Sequence, residues 1–168
     1  CGMLSWFLPR KLGRRLGRRA IQRLFRFYFW YSRVTKLTKF DLSELDALVG
    51  AKKVIIAPNH PCLLDALLCI SRLPEAGCII KASLWNNPVL GGAHLADYIR
   101  NDSHSDLIRK SVAALEAGEQ LLIFPEGTRT VEKPINSFKR GFALMAQKAG
   151  ASVQTVFIEA ENPPYHKG

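Results

Sequence analysis

"KVIIAPNHPCLLDALLCISRL", residues 53–73, changes its hydrophobic period part-way along. "KVIIA" (53–57) holds a short apolar run of the kind that fills a buried strand, whereas "LLDALLCISRL" (63–73) spaces its apolar residues as a helix does. Between them lies "PNHP", with prolines at 58 and 61 around Asn59 and His60, which breaks both patterns. The order strand, turn, helix is the opening half of a unit that builds parallel sheets.

The alternation continues to the end of the chain. "GCIIKA" (77–82) reads as a strand, "SDLIRKSVAALEAG" (105–118) as a helix stopped by Gly118, and "QLLIF" (120–124) as a strand. "SFKRGFALMAQKAG" (137–150) then reads as an amphipathic helix stopped by Gly150, and "SVQTVFIEA" (152–160) as a strand. The expected class is α/β, with a mixed, largely parallel central sheet flanked by helices. In such folds functional residues gather on loops beyond strand ends. His60 lies just beyond one predicted strand and "PEGTRT" (125–130) just beyond another.

Length and charge divide the chain. A length of 168 residues with 48% hydrophobic content suits a domain with a buried core. The net charge of +10 is concentrated in residues 1–40, which hold 11 Lys and Arg and no acidic residue; the remainder is close to neutral. The segment from Arg10 to about Arg33 has no proline and places Leu12, Leu16, Ile21, Leu24, Phe25, Tyr28 and Phe29 at helical spacing. Arg14, Arg15, Arg18, Arg19, Arg23 and Arg26 fill much of the remaining surface. Residues 1–45 are accordingly expected to be a basic amphipathic segment on a membrane surface, and 46–168 the main domain. The competing reading is a helix that packs its apolar stripe on its own domain. A nucleic-acid arm is disfavoured by the density of Leu and Phe. No apolar run approaches the roughly 20 residues needed to span a bilayer.

Cys1, Cys62, Cys69 and Cys78 show no metal-ligand or disulfide spacing, so a reducing compartment is expected, with the protein on the cytoplasmic face of a membrane. The chain begins with Cys1 and ends at "ENPPYHKG", which leaves open that it is a piece of a longer protein. His94, His104 and His166 read as incidental, with Ser103 or Ser105 capping the helix that follows. No cofactor is expected, and no metal site, since His60, Cys62 and Asp65 have no second ligand cluster beside them.

His60 and Asp65 cannot pair on one straight helix, where five residues leave them about 140° apart. With His60 on the strand-to-helix turn and Asp65 in the first helical turn, the carboxylate can reach back to the ring. That is how a general base is held in one tautomer. Asn59 could steady the turn. The second block combines a glycine that admits close backbone approach with Arg129, whose planar fork matches phosphate oxygens; a strand-ending turn with a surface Glu–Arg pair is the plainer alternative.

"NHPCLLD" (59–65) and "FPEGTRT" (124–130), in this order and about sixty residues apart, resemble the two signature blocks of the glycerolipid acyltransferase family. "KASLWNNPVLG" (81–91) is similar to its linking segment at Lys81, Leu84, Pro88 and Gly91, with Ser83 where a glutamate is usual. "FKRGFALMAQKAG" (138–150) and "SVQTVFIEA" resemble its later helix and strand. The resemblance implies a glycerol-3-phosphate acyltransferase-like fold and an O-acyltransferase that moves a fatty acyl group to glycerol 3-phosphate, lysophosphatidate or a related lyso-lipid. It makes His60 the general base and Asp65 its orienting carboxylate. Glu126, Gly127, Thr128 and Arg129 would form the acceptor site, with Lys139 and Arg100 adding positive charge. The donor would be acyl-CoA or acyl carrier protein, and backbone N–H groups near the histidine turn would hold the oxyanion. No covalent acyl-enzyme is implied, so Cys62 need not be a nucleophile.

Two departures bear on the acceptor. "DYIRND" (97–102) places Arg100 one position early, with Asn101 where the family has arginine, and Thr155 stands where a proline is common. Both leave room for an acceptor other than a glycerol phosphate. Two further readings stay open: a non-catalytic lipid or acyl-carrier binding module with the same fold, and an acyl-thioester hydrolase.

Overall fold

The computed structural model describes residues 10–62, 64–82, 96–131 and 134–159. The linking segment from Ser83 onward, with Leu84, Trp85, Pro88, Gly91 and His94, lies outside the described residues, as do Cys1, Leu63 and His166.

Helix α1 (Arg10–Val34) is followed by a 3-10 helix (Ser43–Leu48) and strand β1 (Val54–Pro58). Helix α2 (Asp65–Arg72), β2 (Ala76–Lys81) and β3 (Ile99–Asn101) come next. The chain continues through α3 (His104–Glu116), β4 (Gln120–Leu122), α4 (Gly141–Ala149) and β5 (Ser152–Val156). The strands form one sheet in the order β3-β2-β4-β1-β5, and every pairing is parallel.

The buried run of β1 explains its central place. All five residues are buried, as expected of a strand covered on both faces. Ile56 faces a core made with Cys69, Ile70 and Leu73 of the α2 region and Leu122 of β4. Ile55 and Ala57 face the opposite core, with Leu107 and Leu115 of α3 and Met145, Ala146 and Ala149 of α4. Because β1 pairs with β4 in parallel, with Ile56 opposite Leu122, both strands end at the same edge of the sheet. The loops after them, carrying His60 and Glu126, are therefore neighbours.

Several boundaries differ from expectation: α4 begins at Gly141 and not at Ser137, β4 ends at Leu122 and not at Phe124, and three further differences have local reasons. Strand β3 was not anticipated, since "YIRND" offers only a three-residue edge strand with one buried apolar residue, Ile99. Helix α2 begins at Asp65, because the preceding residues form the turn that Asp65 closes. Strand β5 stops at Val156 and is exposed along most of its length as an edge strand. The expected stop at Gly150 is present: it takes a left-handed conformation (φ 59°) and ends α4. Ser103 is the residue that caps α3, accepting the Asp106 N–H at 3.3 Å.

Helix α1 has two apolar faces. Ile21 and Phe25 pack against the core that includes Ile56, and buried Phe29 meets Phe40 edge to face at 5.2 Å. Leu12, Leu16, Leu24 and Tyr28, together with Phe27, Trp30, Tyr31 and Val34, are exposed. The arginines divide as well, and two of those expected on the surface turn inward. Arg18 is 6% exposed and donates to the carbonyls of Ala96 (3.0 Å) and Glu75 (2.7 Å) and to the Glu119 carboxylate (2.9 Å). Arg14 pairs with the other oxygen of Glu119. The reason is that a guanidinium supplies several donors at once, enough to meet the carbonyls of Ala96 and Glu75 together with the Glu119 carboxylate.

Replacing Glu119 with Ala strands a buried guanidinium without its counter-ion. The expected loss of unfolding free energy is about 3 kcal/mol. A urea titration in which the Glu119→Ala midpoint matched the parent's would refute this account of how α1 is held.

Candidate active site

His60 sits two residues past the end of β1, and its position is fixed from three sides. On one side, the Asn59 N–H donates to the carbonyl of Val156. The Asn59 side chain then extends that pairing, donating to the Ile158 carbonyl at 3.0 Å and accepting the Ile158 N–H. On another side, the His60 N–H donates to Glu126 Oε1 (2.9 Å) and Thr130 Oγ1 (3.2 Å), and its carbonyl accepts the Thr130 N–H at 2.7 Å. Across the turn, His60 Nδ1 lies 3.0 Å from Asp65 Oδ2.

Asp65 is 1% exposed, and the same Oδ2 also accepts the Cys62 N–H at 2.7 Å. One oxygen thus closes the turn and orients the ring. A carboxylate oxygen only accepts, so the Nδ1 position carries the hydrogen and the free lone pair is left on Nε2. The ring also stacks on Phe124, with centroids 4.2 Å apart and planes 28° from parallel. The imidazole side chain remains 17% exposed.

The loop after β4 is built around Glu126, which is 2% exposed. Besides the His60 N–H, its carboxylate accepts the Thr130 hydroxyl at 2.7 Å and the Asn136 N–H at 3.1 Å. Asn136 in turn bonds the Arg129 carbonyl (3.0 Å) and the Val131 N–H (3.0 Å), which holds Asn136 against this end of the loop. Glu126 therefore lies beneath the loop, while Gly127 and Thr128 are exposed above it and Arg129 is half-buried. Gly127 has φ 69°, and a Cβ there would stand 2.8 Å from Lys139 Cε. The stem of Lys139 crosses this glycine, which brings a second cation to the loop that carries Arg129. The Arg129 charge is also felt at the Cys62 thiol, beside His60.

A model of the acyltransferase family, described by that name, matches residues 33–159 of the 168. The chain belongs to the acyltransferase family. It is 29% identical over 127 residues to a chloroplastic 1-acyl-sn-glycerol-3-phosphate acyltransferase of Arabidopsis thaliana, covering 71% of this chain and 36% of that protein. It is 28% identical over 160 residues to a 1-acyl-sn-glycerol-3-phosphate acyltransferase of Pseudomonas aeruginosa, covering 90% of this chain and 62% of the relative. The chain thus spans roughly one to two thirds of the length of these relatives. Among solved structures, the fold resembles PlsC, the 1-acyl-sn-glycerophosphate acyltransferase of Thermotoga maritima, with a TM-score of 0.52 at 21% identity over 87% of this chain and 73% of that one.

Within this acyltransferase domain, the residues singled out from sequence do not all converge. His60, Asp65, Glu126, Gly127, Thr128, Arg129 and Lys139 share one edge of the sheet. Arg100 stands apart on β3, separated from β1 by β2 and β4, and pairs with Asp102. Three strand spacings place it about 14 Å from the β1 line. Among the described residues of the turn, three backbone donors expected near an oxyanion have partners within the fold. The His60 N–H goes to Glu126, the Cys62 N–H to Asp65, and the Leu64 N–H to Cys62 Sγ at 3.2 Å.

Sequence reasoning missed Phe124, Thr130 and Asn136. The first two lie within the "FPEGTRT" block, which drew attention to the cation and not to its neighbours. Asn136 gives no signal in sequence, because its role depends on its bonds to Glu126, Arg129 and Val131.

Cys62 is 4% exposed, and burial, with the nearby Asp65 carboxylate adding to it, pushes its thiol pKa above the ordinary value. Burial pushes Cys69 and Cys78 further, to about 12. The proton is held on sulfur until the pH passes the raised pKa, so iodoacetamide should label all three far more slowly at pH 8 than it labels free cysteine. Labelling of Cys62 should quicken as the pH rises further. Mass mapping that finds Cys62 alkylated at the free-thiol rate at pH 8 would overturn this assignment.

Proposed function

We propose that this domain transfers a fatty acyl group from a thioester to the free hydroxyl of a lyso-lipid, with 1-acylglycerol 3-phosphate the preferred acceptor. The observation that carries the reading is the geometry at His60. Asp65 takes up Nδ1, Phe124 covers one ring face, and Nε2 is the nitrogen left to act, on the edge of the sheet that bears Arg129 and Lys139. The names of the relatives, all 1-acyl-sn-glycerol-3-phosphate acyltransferases, support the choice of acceptor.

In this mechanism His60 Nε2 takes the proton of the acceptor hydroxyl as its oxygen attacks the thioester carbonyl. Asp65 steadies the imidazolium formed. As the tetrahedral intermediate collapses, the C–S bond breaks, the ester bond is complete, and the proton passes to the departing thiolate. Arg129 and Lys139 hold the acceptor phosphate, the first as a planar fork and the second as a point charge. Acyl-CoA or acyl carrier protein supplies the thioester. Glu126 acts through the backbone of His60 and touches neither substrate.

The reaction is placed at a membrane surface, where acceptor and product reside. Leu24, Phe27, Trp30, Tyr31 and Val34 form an exposed apolar stripe on α1, bordered by arginines, which suits the interface between acyl chains and head groups. No helix among the described residues is long and apolar enough to cross a membrane.

Thiol release from palmitoyl-CoA, with and without 1-acylglycerol 3-phosphate, tests the reading. His60→Ala should lose on the order of 100-fold or more in kcat, and near-parental turnover would remove His60 from the mechanism. Arg129→Ala should raise the acceptor KM on the order of tenfold with a smaller effect on kcat. An unchanged KM would separate that arginine from the phosphate. Acceptor-independent release would mark a hydrolase instead.

A further inference from the structure

Three arginines of α1 have no place in the chemistry above. Arg19, Arg23 and Arg26, with Gln22 and with Pro74 from the turn before β2, line an open hollow of about 430 Å³. At about 100° per residue the three arginines project within roughly 60° of one another. The same arithmetic sets them beside Leu16, Phe27 and Val34, with Trp30 among them, all four exposed. The helix has no acidic residue with which they could pair internally. Its orientation is fixed, because Arg14 and Arg18, on the face turned toward the sheet, are tied to Glu119.

We propose that this hollow holds the phosphodiester of an anionic phospholipid, so that α1 engages a bilayer through a defined head-group site as well as through its apolar stripe. The proposal rests on the membrane-surface reading and adds selectivity for anionic lipid. Planar guanidinium forks match phosphodiester oxygens, and Gln22 adds a neutral donor. The adjoining Phe27 and Trp30 would enter the acyl region beside the bound head group, so one lipid satisfies both surfaces.

Position argues against an acidic carrier protein as the occupant. Pro74 precedes β2, and Arg18, on the same stretch of helix, bonds Glu75 and Glu119, which lie just before β2 and β4. The hollow is thus at the edge where strands begin, whereas His60 lies beyond the end of β1. A strand of this length separates the two edges by about 17 Å, and an occupant of the hollow also meets the exposed Phe27, Trp30 and Val34 beside it, which suit acyl chains and not an acidic protein surface.

The test is co-sedimentation with vesicles of phosphatidylcholine alone and of phosphatidylcholine with phosphatidylglycerol. Two variants of equal charge are compared: Arg19→Gln/Arg23→Gln/Arg26→Gln, and Arg15→Gln/Arg33→Gln/Lys39→Gln. All six side chains belong to exposed residues, and melting midpoints check that both variants fold. The parent should favour the anionic vesicles, and the hollow variant should lose about 10-fold more of that partition than the control. Its turnover with a short-chain, water-soluble acceptor should match the parent's. Equal losses in the two variants would overturn the site in favour of diffuse charge. Loss of acyl-carrier-protein binding with unchanged vesicle binding would overturn it in favour of a carrier dock. Failure of the parent to bind either vesicle, alongside His60-dependent turnover, would overturn both this site and the membrane-surface reading while leaving acyl transfer in place.

Discussion

The carboxylate of Glu126 is the interaction on which the site depends. Almost wholly buried, it gathers the His60 N–H from the turn after β1 and, from its own loop, the Thr130 hydroxyl and the Asn136 N–H. Such a group is costly to bury unless its acceptor sites are met, which makes the arrangement close to all-or-none. The parallel pairing of β1 with β4 makes it possible by delivering both loops to one edge. Placement of the His60 main chain and the shape of the Arg129 loop follow from the same clasp.

Much of this was legible in sequence because it rests on period and punctuation. The change from an apolar run to helical spacing around "PNHP" located β1, α2 and the turn, and with them the contact of Asp65 with His60. The strand β3 was hidden because three residues with one buried apolar side chain carry no period. The place of Glu126 was hidden for a different reason: an acidic residue in a polar loop has the same local signature whether it faces a ligand or is folded beneath the loop. Only pairing with His60, 66 positions away, distinguishes the two. Arg100 shows the converse, since motif position drew it toward the site whereas sheet order leaves it on the far strand.

Helix α1 illustrates a limit of amphipathicity as a signal. The docking helix and the membrane-facing helix looked like alternatives, yet the helix has an apolar stripe on each of two sides. Its hydrophobic residues could not be divided between them by spacing alone. The division is set by Glu119 and by the carbonyls of Ala96 and Glu75, which turn Arg14 and Arg18 inward and leave Arg19, Arg23 and Arg26 outside. Electrostatics, more than hydrophobicity, decides the rotation of the helix about its axis.

Glu126 grips His60 by its main chain and not by its ring. The scaffold consequently makes little demand on which side chain occupies that position. Over evolutionary time, a lineage could lose the imidazole and retain the architecture, the Glu126 loop and helix α1. The imidazole and the foldedness of the domain are separable inheritances in such a design.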